Sequence, residues 1–490
     1  MRHITYCLIA GLLTLTACND WLTEMPRSSK PIGGATRVDA QASVDGIYAF
    51  LRQPYDKGGY ANMGFSILEL PTGQYLSAAI DDFSAKEVAD LVYTRNNGHF
   101  AGWWNSSYGG IQAANIAINT IPTITDAALT ADLRSQLLGE ARFLRAYYYF
   151  NLVRMFGDIP IVLTTTTSIA DGQIGKSSVK DVYEKVIVPD LLFAEQQKLP
   201  LVSTSGRVAN GAVKGLLAKV YLTMAGLPLQ QKDKYALAKA KAKEVMDGRY
   251  KLFQTDAALT WFDKLNNASF DNREENMFMV QYAVNLVNNT FSIYFAPVSA
   301  AGKLTSAGIH FGGMVPTTTF FNSYAATDLR AQNRGFFFTE YEGIKFDRSV
   351  YKYFDKGLRT TAPNGNKSIP LLRYADVLLI YAEAQNAADG SPDADAYAAI
   401  NAIRARSGLT ALAGLSKDQF EQAVWRERAW ELTCEGVTWF DMKRTGKVFN
   451  GTNFVNVVGY TLPTGKVIRE ENLYFLIPQS EIDVNPQLGN

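Results

Sequence analysis

Apolar residues at helical spacing constrain this chain more than any other feature. Leu133, Leu137, Ala141, Leu144, Tyr148, Leu152 and Met155 recur at every third or fourth position through residues 130–156. A long amphipathic helix places all of them on one face. Gly157 and Pro160 follow, the usual stop signals. Upstream, Trp104, Tyr108, Ile111, Asn115 and Ile118 keep a similar period up to Pro122. Two helices joined by so short a loop make an antiparallel pair.

The pattern recurs. Residues 179–197 and 207–225 form a second pair, in which Ala212, Gly215, Ala218 and Leu222 make a stripe suited to close packing. A helix over 234–246, ended by Gly248, has no evident partner. Residues 372–388 and 392–406 form a further pair, with Gly390 between them. Ser391 and Pro392 suit an N-cap and first helical position. The run Ser416-Lys417-Asp418-Gln419 has the capping-box form and opens a helix to about Cys434. Cys434 reads as a buried apolar residue.

Helix-turn-helix units of this size suggest tetratricopeptide-like repeats. The expected units lie near 104–156, 179–226, 234–248 and 372–407. Residues 41–103 and 250–370 interrupt them with irregular, aromatic-rich sequence, in which 275–282 and 348–354 look like short strands. The predicted fold is mainly α: tetratricopeptide-like helix pairs interrupted by irregular insertions with a few short strands. Hydrophobic content of 47% against 19% charged supports a large core. No Pro/Gly/Ser-rich linker divides the chain, so 41–490 reads as a single domain.

The amino terminus is different in kind. Arg2 and His3 precede a mostly apolar stretch over residues 4–16. That is too short for a bilayer span, which needs about 20 residues, and it fits the apolar part of a signal peptide. It ends Leu15-Thr16-Ala17-Cys18, which resembles a bacterial lipobox. Residues 1–17 are therefore expected to be removed, Cys18 to carry lipid, and 18–40 to form a tether. Several acyl chains, each methylene worth about 0.8 kcal/mol, anchor firmly without a transmembrane helix. Arg2 is the only charge in residues 1–17, so 47 Lys and Arg would remain against 47 Asp and Glu. A neutral chain lacks the attraction that drives nucleic-acid binding, and no nucleic-acid partner is expected.

Several further segments form a set in fixed order. They are 18–22 (CNDWL), 104–108 (WNSSY) with Ala114 and Asn115, 140–150 (EARFLRAYYYF), 156–160 (FGDIP), 206–208 (GRV) and 216–221 (LLAKVY). Later come 372–379 (LRYADVLL), 381–384 (YAEA), 426–428 (RER), 431–432 (EL), 435–436 (EG), 439–444 (WFDMKR) and 477–486 (IPQSEIDVNP). Together, in this order and spacing over nearly the whole mature chain, they resemble the SusD/RagB family of Bacteroidetes outer-membrane lipoproteins. The resemblance implies a cell-surface, lipid-anchored nutrient-binding protein of the outer membrane, facing the exterior. It implies capture of oligosaccharides, or in some relatives peptides, for a SusC-like TonB-dependent transporter. It also implies four tetratricopeptide-like units carrying an irregular ligand face. The charged residues of these segments, among them Arg142, Arg145, Asp158, Arg373, Asp376, Glu383, Arg426, Glu427, Arg428, Glu431, Glu435 and Asp441, sit among apolar neighbours. Buried charges need partners, so they read as internal ion pairs.

Enzyme signatures are missing from the sequence. His99 and His310 have no metal-ligand spacing, and neither H-E-x-x-H nor G-x-S-x-G occurs. Gly175-Lys176-Ser177 lacks the first glycine of a phosphate loop, since Ala170 stands there. Asp389, Asp393 and Asp395 lack the ligand series of a calcium loop. No catalytic residue, metal or cofactor is expected. Pairs such as Asp81-Asp82 keep a lipid-anchored glycosidase open as an alternative, beside peptide capture and a protein-binding scaffold.

A glycan site needs flat rings to stack on sugar faces and polar groups for hydroxyls. Aromatic content is 12%, and the useful part lies in the two insertions. Tyr60, Phe65, Tyr75, Phe83, Phe100, Trp103 and Trp104 populate the first. Trp261, Phe262, Tyr294, Phe295, Phe311, Phe320, Phe321 and Tyr324 populate the second. Trp104 shares a helical face with Tyr108, whereas Trp103 points about 100° away. Trp103 is therefore the first candidate platform, followed by Tyr75 with Asp81 and Asp82, then Trp261 and Tyr294. The resemblance carries no ligand residue over, because ligand residues vary within that family.

Overall fold

The helical array begins earlier than the sequence reading placed it. The computed structural model describes residues 35–55, 64–78, 82–165, 172–283, 286–287, 289–361 and 365–489. Helix α1, Arg37–Ala49, opens on a capping box between Thr36 and Asp39 and buries Ala40, Val44 and Ile47. It starts inside the stretch expected to be tether. Cys18, Tyr60 and Asp81 lie outside the described residues.

Local chemistry explains the next helices. Asn97 caps α2, Gly98–Thr120, by accepting from the His99 amide at 3.0 Å. Thr130 caps α3, Ala131–Phe156, and Gly157 ends it at φ +77°. A short helix, Val179–Val182, and a π turn, Tyr183–Ile187, lead into α4, Val188–Glu195. Then come α5, Asn210–Ala225, and α6, Lys234–Met246. After the second insertion follow α7, Tyr374–Asp389, ended by Gly390 at φ +83°, and α8, Ala394–Arg406, capped by Asp393. Asp393 thus has a capping role, while Asp389 and Asp395 pair with Lys239 and Lys243. The capping box of Ser416 and Gln419 opens α9, Lys417–Glu431, and α10 spans Thr438–Thr445.

These helices pack in sequence: α1 on α2 and α3, then each on the next through to α7, which also touches α8 and α9. The partner missing for residues 234–248 is therefore double, since α6 lies between α5 and α7. The second insertion leaves the array after α6 and returns without separating it. Its exit and re-entry are joined by an antiparallel ladder of β2, Asn276–Val280, with β6, Ile369–Arg373. The first insertion is stitched to the second by β1, Tyr75–Ser77, against β3, Met314–Pro316, with Leu76 opposite Val315. β4, Phe337–Tyr341, pairs with β5, Ile344–Val350, and β7, Lys447–Phe449, with β8, Phe454–Asn456. The strand read over 348–354 thus ends at Val350. The fold is mainly α. No helix among the described residues is long and apolar enough to cross a membrane.

Most of the charged motif residues are paired inside. Arg373 meets Glu275, Glu431 and Glu435, while Arg406 meets Glu275 and Glu431. Arg330 joins Asp328, Glu427 and Glu431. Burial alone would raise Glu431, but Arg406, Arg373 and Arg330 overcome it and hold its pKa at about 2. Two residues differ from the expectation. Asp158 is exposed and accepts from the Val179 amide at 2.8 Å. Arg426 has no ion pair among the described residues; it reaches the Thr452 carbonyl at 3.5 Å and lies 5.8 Å from the centre of the Phe449 ring. Cys434 is fully buried and lies past the end of α9 at φ +60°, not within a helix.

Candidate functional site

The structure takes the first-choice platforms out of solvent. Trp103 is 3% exposed; its Nε1 donates to the Gly64 carbonyl at 2.8 Å and its ring meets Tyr55 edge-on at 5.8 Å. Helix geometry separates Trp103 from Trp104, but α2 is covered on both sides. Trp104 packs on Tyr108 and Phe156, while the first insertion folds over Trp103. Tyr75 is buried in β1 with its hydroxyl 2.6 Å from the Thr433 hydroxyl. Trp261 is buried against Phe336 and donates to the Arg406 carbonyl at 3.1 Å. Tyr294 is buried in the short helix Phe291–Phe295, where its ring fills the space beside Gly313. None of these rings presents a face to solvent.

Asp82 and Tyr294 do converge. Burial, and then the Asp82 charge, push the Tyr294 hydroxyl well above its ordinary pKa. Asp82 is itself structural. Its Oδ1 accepts from the Ala85 amide at 3.0 Å and sits 2.7 Å from His99 Nε2. Asp82 Oδ2 is a buried atom with no protein hydrogen bond among the described residues, and the Tyr294 hydroxyl has the Ser66 hydroxyl as its neighbour. Trp261 lies apart from this group, beside α8.

One ring from the described part of the insertions remains available. Phe83 is 74% exposed, and among the described residues it is the only aromatic side chain that stands fully in solvent. Its mount is rigid. The short helix Phe83–Ala89 is capped by Asp82 and buries Ala85, Val88 and Ala89 against β1 and the turns before it. The Asn97 side chain donates from Nδ2 to the Ser84 carbonyl at 2.9 Å and to Glu87 Oε2 at 2.8 Å. By sequence Phe83 belongs to the first insertion, where Trp103 and Tyr75 are the expected platforms. A usable signal was present: with Asp82 as cap, Phe83 lies two residues before Ala85, about 200° around a helix from the buried face.

A cavity of about 560 Å³ opens in another part of the molecule. The end of α3, residues 227–228, α10 and residues 456–474 frame it, and Arg154, Lys443 and Tyr474 line it.

The model of the SusD family matches residues 217–490, more than half of the chain. The chain belongs to the SusD family. A second family model, described as starch-binding associating with outer membrane, matches residues 20–222. SusD-like protein P2 of Formosa agariphila is 26% identical over 479 residues, covering 91% of each chain. A SusD superfamily protein from Parabacteroides distasonis superposes with a TM-score of 0.86 at 32% identity, covering 92% of this chain and 98% of that one. Surface glycan-binding protein A from Bacteroides thetaiotaomicron, solved with laminarihexaose, superposes at 0.75 with 18% identity. That comparison covers 93% of this chain and 99% of the other and shows a shared fold.

Within this SusD-family frame the two described histidines have structural partners. His99 and Asp82 are each 3% exposed at their side chains. His310 lies between the Pro297 carbonyl, 2.9 Å away, and the Thr305 hydroxyl, 2.8 Å away, and burial lowers its pKa. Among the described residues of the insertions in this SusD-family protein, Phe83 is the aromatic ring that stands in solvent.

Proposed function

We propose that this protein captures oligosaccharides at the outer-membrane surface without changing them covalently. It is held there by lipid on Cys18, facing the exterior, and passes its ligand to a SusC-like TonB-dependent transporter. The observation that carries the reading is Phe83, a solvent-facing ring fixed by Asp82, His99 and Asn97. A sugar ring presents an apolar C–H face that such a ring covers, and a rigid mount lowers the ordering cost of binding. Family membership supports it, as does the laminarihexaose complex of a relative sharing the fold. The outer-membrane description of the second matching model supports the location.

The test is calorimetric titration of the purified chain with laminarin, xyloglucan and starch oligosaccharides. Phe83→Ala is expected to weaken binding of the accepted glycan at least tenfold at an unchanged melting temperature. Equal binding by the folded variant removes Phe83 from the site. Release of shortened products during incubation defeats the non-enzymatic reading. Co-purification with a TonB-dependent channel tests the transporter partnership, and protease shaving of intact cells tests the exterior placement.

A further inference from the structure

The 560 Å³ cavity is lined by two basic side chains, Arg154 and Lys443, that form no direct ion pair among the described residues; Asp441 acts on Arg154 only at longer range. Lys443, on α10, gives one hydrogen bond, to the Arg154 carbonyl, and its Nζ sits 3.7 Å from the centre of the Tyr474 ring. The Arg154 guanidinium is layered between Phe150 at 3.7 Å and Phe440 at 3.8 Å. Its Nε donates to the Phe150 carbonyl at 2.9 Å and its Nη2 to Asn151 Oδ1 at 2.6 Å. Its Nη1 donates to no acceptor among the described residues.

The neighbouring charges do not make up the difference. Arg444, in the same wall, is matched by Glu383 and Asp441. Arg428 and Lys219 behind it are matched by Asp376 and Asp441. Those cations and carboxylates balance one for one, so Arg154 and Lys443 are the surplus. Glu470 lines the cavity from an exposed position and pairs with neither. The C-terminal end of α3 supplies about half a negative charge, which offsets only part of two cations. Burial holds Arg154 down at about 10, and burial together with Arg154 draws Lys443 well below its ordinary value. Removing charge from water without a partner is costly, and an anion in the cavity would relieve that cost. The volume lies within the range of small-molecule sites, about 300–1,000 Å³. Tyr474 and Leu473 give a ring-shaped body an apolar wall.

We propose that this cavity is a second ligand site, distinct from Phe83, that takes a small organic carboxylate of sugar size, of which a hexuronic acid is the type. Arg154 and Lys443 meet the carboxylate, and Tyr474 covers the body. The test titrates the purified chain with glucuronate, glucose and inorganic sulfate. Glucuronate is expected to bind, glucose not to bind, and sulfate to bind at least tenfold more weakly than glucuronate. Lys443→Met is expected to cut glucuronate affinity at least tenfold. Should that variant fail to fold, acylation of Lys443 in the wild-type chain is the second readout, and saturating glucuronate is expected to slow it at least tenfold. Absence of glucuronate binding, an unchanged affinity in folded Lys443→Met, or unprotected acylation overturns the proposal. Sulfate binding as tight as glucuronate overturns the organic assignment. The probe is acidic and monomeric, so its failure leaves the Phe83 reading standing, and failure of the Phe83 test leaves this one standing.

Discussion

Arg145 and Asp190 form a bidentate pair that ties α3 to α4. Nε reaches Oδ2 at 2.7 Å and Nη2 reaches Oδ1 at 2.8 Å, while Nη1 donates to Asn115 Oδ1 on α2 at 2.7 Å. Both partners are buried. Arg145→Ala leaves Asp190 with Arg142 alone, whose side chain is 30% exposed. Breaking a buried pair from one side costs about 3–5 kcal/mol. A urea titration should show a loss of that order. Ligand affinity of the remaining folded fraction should not change, because Arg145 lies in neither candidate site.

Glu431 should make the fold acid-sensitive. Arg406, Arg373 and Arg330 hold its pKa at about 2 against the ordinary 4.5. A depressed carboxylate contributes stability that is complete above its unfolded value and is lost as pH falls through the folded value. The loss from this group therefore falls between about pH 5 and pH 2 and is on the order of 3 kcal/mol. Denaturant unfolding at successive pH values should show it. Glu431→Gln should be less stable at neutral pH and should show a smaller drop across that window.

Glu69 should act in the opposite direction. It is buried, accepts from the Gly436 amide at 2.7 Å, and burial pushes its pKa to about 8. A raised carboxyl contributes stability that is complete below its unfolded value, near 4.5. That contribution is lost as pH rises through the folded value. Glu69→Gln should match the parent near about pH 5 and exceed it by a few kcal/mol near about pH 9. Equal pH dependence of the two proteins would show that Glu69 is ionised in the fold.

Trp103→Ala should damage stability rather than recognition. The indole is enclosed by Tyr55 and Gly64 and spends its N–H on the Gly64 carbonyl. Large-to-small changes of this kind cost about 3–5 kcal/mol. Its melting temperature should fall clearly, and lost capture should follow the unfolded fraction. Phe83→Ala should show the reverse pairing of effects, so the two variants measured together separate core from platform.

Residues near one another in the chain were the legible part. The period of Leu133 to Met155 and the capping box at Ser416 specify helices through contacts within a turn or two. Those helices occur as Ala131–Phe156 and Lys417–Glu431. The need of Arg145 for an anion was also readable, since a buried charge must be compensated. Its partner was not, because Asp190 lies 45 residues away. The same limit applies to the ligand face. Helix geometry separates the directions of Trp103 and Trp104, but only tertiary packing decides what lies in each direction. Tyr55 and Gly64 closed over Trp103, and nothing described closed over Phe83. Local sequence thus set where helices form and which charges must be buried. The assembled fold chose each ion-pair partner and left Phe83 in solvent, because burial depends on neighbours brought from distant parts of the chain.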